Sequence, residues 1–219
     1  MRYAWSGDNG VLTDMIWHYR DMNRNKVERE VRFSASMMRF MHRHVEQPVP
    51  SIEDNPGEIF LGLYLRATYP ANVKNTQLLI HRLEDGTSQE QGWMYVPFQR
   101  RVRRLATGQK TDAFLGSDIM IEDFLGYNGR IMDMTWRYIG ERMMLLPMFR
   151  HNALDGLREP QADGFSFVGT GGRGGCFPQV RWQMRPVYLL EAMPGEKGHP
   201  LSKRFFYVDR QTYAAGSDL

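Results

Sequence analysis

With 219 residues, 42% of them apolar, the chain is long enough to bury a core without staples and too apolar to stay disordered. Its 28 basic and 25 acidic residues leave a net charge of +3, a mild excess that suits an anionic surface without demanding one. A single cysteine, Cys176, excludes an internal disulfide, and the apolar runs near Ile59 and Met143 are too short to span a bilayer.

Residues 1–26 are polar and weakly patterned, and read as an N-terminal extension or the start of a sheet. No leader is visible, because Asp8, Asp14, His18 and Arg20 interrupt any apolar run in residues 1–20. From Val27 the pattern is that of a strand. Val31, Phe33, Ala35 and Met37 alternate, and Met38 and Phe40 continue on the other parity, which predicts a bulge near Met37. Pro48, Pro50 and Pro56 mark a loop. Ile59 to Tyr69 is the clearest strand, with Ile59, Leu61, Leu63, Leu65 and Ala67 sharing one face. Gln77 to Leu83, Trp93 to Phe98 and Arg101 to Leu105 follow as strands, with a turn at Glu84–Thr87 and a bend at Pro97.

Ser117 to Leu125 is predicted as a short helix, capped by Ser117 and closed by Gly126. Ile131 to Ile139 alternates again, placing Met132, Met134, Trp136 and Tyr138 on one face. Met143 to Phe149 is an apolar strand candidate, residues 150–175 are loop-like, and Val180 to Ala192 and Lys203 to Val208 supply the last strands. Strands at intervals of ten to twenty residues, with few helix signals and no βαβ rhythm, predict an antiparallel sheet or incomplete barrel in a single domain over residues 1–219.

The catalytic signals are weak. Gly169 to Gly174 matches G-x-G-x-x-G, but a strand rather than a helix N-terminus follows, so a mobile loop is the expectation. His42 and His44, two apart on a strand, point the same way, but no third metal ligand is evident. Asp118, Glu122 and Asp123 complement a helix dipole better than they build a two-carboxylate cleft. Cys176 has no histidine placed to activate it. No motif calls for a cofactor, and the expectation is a protein that is not an enzyme. Arg101 and Arg103 share one face of a basic strand. That face reads as solvated, or as a docking patch for an acidic partner or anionic headgroup; nucleic acid would require a wider, aromatic-laced surface. Met132, Met134, Trp136 and Tyr138, with Leu61, Leu63 and Phe124, are candidate walls of an apolar cavity. They serve equally well as packing against plug elements.

The string Trp93-Met94-Tyr95-Val96-Pro97-Phe98-Gln99-Arg100-Arg101-Val102-Arg103-Arg104 resembles a motif of a bacterial domain-of-unknown-function family, family 1329, related to outer-membrane lipoprotein-sorting proteins. Phe114 to Asp118, Glu122 to Phe124, Gly126 to Gly129, Arg181-Trp182, Val187 to Ala192, His199-Pro200, Lys203-Arg204 and Tyr207 to Tyr213 follow in the same order and spacing, so the likeness covers roughly residues 27 to 219. The resemblance implies a LolA/LolB-like fold: a strongly curved antiparallel sheet, an incomplete β-barrel, with a few short helices plugging its concave side. It also implies a periplasmic protein of Gram-negative bacteria, found beside resistance-nodulation-division type lipid exporters and outer-membrane proteins, with no established activity. It further implies a partial mature chain, since the family begins with a signal peptide and continues past Leu219 with further strand. The leading expectation is a carrier for a lipid or other apolar molecule, with peripheral membrane contact. The alternative is a module that docks on an exporter or outer-membrane protein and binds no small molecule.

Overall fold

The computed structural model describes residues 7–21, 23–24, 26–105, 111–124, 126–147, 158–160, 166–172, 175 and 177–216. The protein is mainly β, with 52% strand and 8% helix, and its antiparallel sheets do not close into a barrel. The strands are β1 Asn9–Asp21, β2 Lys26–Arg39, β3 Ile59–Tyr69, β4 Gln77–Leu83, β5 Gln91–Val96, β6 Arg101–Arg104, β7 Met134–Leu146, β8 Arg158–Pro160, β9 Ser166–Val168, β10 Thr170–Gly171, β11 Phe177–Pro178, β12 Gln183–Pro194, β13 Arg204–Asp209 and β14 Ala215–Gly216. They form a six-stranded sheet in the order β1-β2-β3-β4-β5-β6, a four-stranded sheet in the order β14-β13-β12-β7, and two short hairpins, β8-β9 and β10-β11.

The chain divides into two compact units. The first comprises Met1–Tyr19, Val27–Met134 and Gly195–Pro200, and the second Arg20–Lys26, Thr135–Pro194 and Leu201–Leu219. In the first, alternation sends Val31, Phe33 and Ala35 of β2, Leu63, Leu65 and Ala67 of β3, and Leu78 and Ile80 of β4 to one face of the large sheet. Phe114, Ile121 and Phe124, from the segment after β6, pack into the same core. Met15, Trp17 and Tyr19 of β1 close its side. Burial of this continuous apolar face is the main force holding the unit together.

Several local expectations are corrected. The weakly patterned start holds a thirteen-residue strand, β1, whose odd positions Met15, Trp17 and Tyr19 are half-buried. The irregularity in β2 lies between Arg32 and Phe33, not near Met37, because Arg39 rather than a neighbouring apolar residue takes the buried position. The helix expected from Ser117 is absent: two 3-10 turns, Phe114–Gly116 and Ile121–Asp123, stand in its place. Ser117 and Met120 are extended, with ψ of 175° and 157°, which no helix accepts. The Ser117 hydroxyl donates back to the Phe114 carbonyl at 2.7 Å and accepts from the Ile119 amide at 3.1 Å, but no α-helix follows it. Ile131–Asp133 is likewise a 3-10 turn, and β7 runs unbroken from Met134 through the apolar residues to Leu146. Residues 148–157, which include the end of the predicted apolar strand, lie outside the described residues.

Candidate functional site

The predicted cavity residues divide between the two units. Leu61, Leu63, Phe124, Met132 and Met134 belong to the first unit, and Trp136 and Tyr138 to the second. Leu61 and Leu63 are buried on β3, and Leu63 and Phe124 are members of the packed core. Phe124 sits edge-on to Phe114 at 5.3 Å and to Trp17 at 5.8 Å, and Trp17 in turn lies 4.7 Å from Phe33. These tilted and edge-to-face rings fill the space that a ligand would need. Met132 is 73% exposed, because the 3-10 turn at Ile131–Asp133 takes it off the strand; Met134 is buried. The four-residue stripe is therefore interrupted, and its strand portion begins at Met134.

In the second unit the pairing register sorts the small sheet into two unlike faces. Val187 pairs with Asp209, Leu189 with Tyr207 and Glu191 with Phe205, while Tyr188 pairs with Val208, Leu190 with Phe206 and Ala192 with Arg204. Paired residues point the same way, so Tyr188, Leu190, Phe206 and Val208 share a face. Trp136 joins that face through Phe206, ring to ring at 5.3 Å, and Tyr138 joins it through Tyr188 at 6.1 Å. Trp136 and Phe206 come from strands separated by β12. Ala192, fully buried, lies on the same face. Further along β7, Met143 and Leu145 are 58% and 52% exposed. Arg210 lies over the Tyr188 ring and donates to Glu141 at 2.8 Å, framing the apolar face with charge.

The opposite face carries ion pairs beside Val187, Leu189, Phe205 and Tyr207. Arg137 donates to the buried Glu191 at 2.8 Å, and Lys203 approaches the same carboxylate at 3.5 Å. Arg185 holds Asp209 through two hydrogen bonds. Nearby, Gln183, Met184, Arg185, Pro186, Arg210 and Gln211 line an open groove of about 430 Å³.

A second polar cluster, in the first unit, was not foreseen from the residues alone. His199 Nε2 and the Glu122 carboxyl are in hydrogen-bond contact at 2.9 Å, and both side chains are buried. The Asn128 amide donates to the Glu122 carbonyl at 2.6 Å, and Arg82 donates to the Asn128 side chain at 3.0 Å while pairing with Glu90. Glu122 and Asp123 thus do not complement a helix dipole: Asp123 accepts from the Met120 amide, and Glu122 pairs with a residue 77 positions away. No local signal reveals that pairing. The available hint was that Glu122–Phe124, Gly126–Gly129 and His199–Pro200 each match a block of the same family.

The remaining candidates separate. His42 and His44 lie beyond the end of β2, not on it, and His42 has a φ of 55°. His42 contacts Glu84 at 2.7 Å, whereas His44 contacts Asp8 at 3.2 Å, so the two do not converge. Thr170–Gly171 pairs with Phe177–Pro178 as a hairpin, a geometry with no helix to receive a phosphate. Arg173, Gly174 and Cys176 lie outside the described residues. Arg101 and Arg103 are exposed on β6, the last strand of the large sheet. No helix among the described residues is long and apolar enough to cross a membrane.

A family model described as a protein of unknown function, DUF1329, matches residues 1–217. Two solved structures share the fold. One is a domain described as an outer-membrane lipoprotein-sorting protein from Vibrio parahaemolyticus, with 16% identity and a TM-score of 0.57, covering 98% of this chain and 64% of that one. The other is a DUF1329 family protein from Desulfovibrio piger, with 16% identity and a TM-score of 0.56, covering 96% of this chain and 65% of that one. The chain thus spans just under two thirds of the length of either. No curated protein matches it significantly.

Proposed function

The chain belongs to the DUF1329 family of proteins of unknown function, and on that premise we propose that it is a periplasmic, non-catalytic carrier or accessory protein that holds a lipid or other apolar molecule. In this reading residues 1–219 act as one LolA/LolB-like domain at the outer membrane, beside a resistance-nodulation-division type exporter or an outer-membrane protein. One observation carries the reading. One face of the small sheet gathers Trp136, Tyr138, Tyr188, Leu190, Phe206 and Val208, while the ion pairs of Glu191 and Asp209 lie on the other. Tyr138 on that face is 58% exposed. A contiguous apolar face left partly open is where an apolar guest gains most from leaving water.

The test is binding of a fluorescent fatty acid or phospholipid by the wild type and by Trp136→Ala. The variant should bind about fivefold or more weakly, because the ring's apolar contact is worth at least ~1 kcal/mol. It should also lose less stability than the ~3–5 kcal/mol typical of a truncated core ring. A wild type that binds no fatty-acid, phospholipid or sterol-like probe would sink the carrier reading. The second reading, a docking module without a small molecule, draws support from the filled core around Leu63 and Phe124.

A further inference from the structure

We propose that the turn Pro97–Arg100 and strand β6 form a peripheral docking edge for an anionic lipid bilayer. The inference uses residues remote in sequence from the apolar face above and does not rest on the carrier reading. Phe98, at the tip of the 3-10 turn Pro97–Gln99, is 88% exposed, more than any other large apolar side chain among the described residues. Arg100 follows it with φ of 50°, and its amide donates to the Pro97 carbonyl at 3.1 Å, which holds the turn in shape. All four residues of β6 are exposed, Val102 to 64%.

The charges of this edge are unspent. Arg82, Arg130, Arg137 and Arg185 each pair with a carboxylate. Arg100, Arg101, Arg103 and Arg104 form no side-chain ion pair or hydrogen bond with a described residue. Four guanidiniums within five positions, beside an exposed ring, match the pairing of charge and apolar anchor that surface-bound proteins use at the headgroup boundary.

The register narrows the partner. Arg101 lies opposite Val96 and Arg103 opposite Met94, while Val102 lies opposite Tyr95 and Arg104 opposite Trp93. Alternation therefore puts guanidiniums on both faces of the strand. A folded acidic partner seated on one face would use only half of them. A strand entering the headgroup layer edge-first presents both sides to phosphates and lowers Phe98 toward the acyl boundary. Pairing with a second copy along the same edge is opposed by like charge.

Flotation of the full chain with phosphatidylcholine vesicles, with and without phosphatidylglycerol, tests the proposal. Binding to the anionic vesicles alone is expected, and it should fall as added salt screens the charges. Each arginine near an anionic surface contributes about fivefold, so R101E/R103E should lower partitioning by on the order of tenfold or more. F98A should lower it several-fold. F98W should gain a blue-shifted emission, quenched by brominated lipid, with anionic vesicles only; this readout decides the matter if the charge-reversed variant does not fold. Equal binding to neutral vesicles, no binding by the wild type, or unchanged binding by the variants overturns the proposal. So does binding to polyglutamate without binding to vesicles, which would make the partner an acidic protein.

Discussion

Arg185 and Asp209 lie side by side, the guanidinium donating from Nε at 2.6 Å and from Nη2 at 2.8 Å to the two oxygens of a carboxylate with no exposure to solvent. The same carboxylate accepts from the amides of Gln211 and Thr212 and from the Thr212 hydroxyl, so one side chain ties β12 to the turn after β13. The guanidinium, with the Thr212 hydrogen bonds, holds the Asp209 carboxyl well below the usual range against the opposing effect of burial. Asp209→Asn should destabilise by about 3–5 kcal/mol, because it strands a buried guanidinium. Urea unfolding at neutral pH measures this. A depressed carboxyl stabilises above its unfolded value and loses that contribution only as pH falls through the folded one. The Arg185–Asp209 contribution should therefore persist to strongly acid pH.

Asp8 makes a similar tie in the first unit. Burial alone would raise its carboxyl, but hydrogen bonds from the amides of Glu46, Val45 and His44, with the charge of His44, outweigh that and lower it to about 2. Its stabilisation of the loop after β2 should be complete above the ordinary aspartate value of 3.8 and fade as pH falls toward 2. The Val45 amide resonance should titrate with a midpoint near 2, and in Asp8→Asn the amides of His44 to Glu46 should exchange freely at neutral pH. A midpoint near 4 would show that the tie does not form.

Gly129 stands where a side chain has no room. A Cβ there would lie 2.5 Å from the Tyr127 hydroxyl, which donates to the Arg130 carbonyl at 2.9 Å. Gly129→Ala should cost about 1–3 kcal/mol as overpacking. In a Tyr127→Ala background the same change should cost much less, since the obstructing ring is gone. Thermal unfolding of the four proteins closes the cycle, and strict additivity would refute the clash.

Phe33 and Met132 make a contrasting pair. Phe33, 1% exposed and in ring contact with Trp17 and Phe114, should cost about 3–5 kcal/mol on truncation to alanine. Met132→Ala should stay within about 0.5 kcal/mol, because its side chain is largely in water. A large loss at Met132 would mean that it is covered.

Much of the sheet was legible because period-two alternation survives wherever one face is buried. Ile59–Tyr69 and Gln77–Leu83 coincide with β3 and β4 for that reason. The failures are physical too. β1 carries its buried side on Met15, Trp17 and Tyr19 between polar residues, a signal easily mistaken for scatter. Alternation at Met132 was formal, since a 3-10 turn can carry the same letters as a strand. Acids around residue 120 resembled a helix start, yet extended backbone at Met120 breaks the run from within. The Glu122–His199 pair joins distant segments, and spacing along the chain says nothing about such a meeting.

The strand order of the two larger sheets sets different timetables for folding. In the sheet β1-β2-β3-β4-β5-β6 each strand pairs with its predecessor in the chain, so it can grow hairpin by hairpin, residues 40–58 between β2 and β3 being the longest connection to close. In the other sheet β7 neighbours β12, and residues 147–182 intervene before that pairing is available. Refolding should accordingly show early amide protection in β3 and β4, with later protection in β7 and β12. Pulse-labelled hydrogen exchange would resolve the two steps.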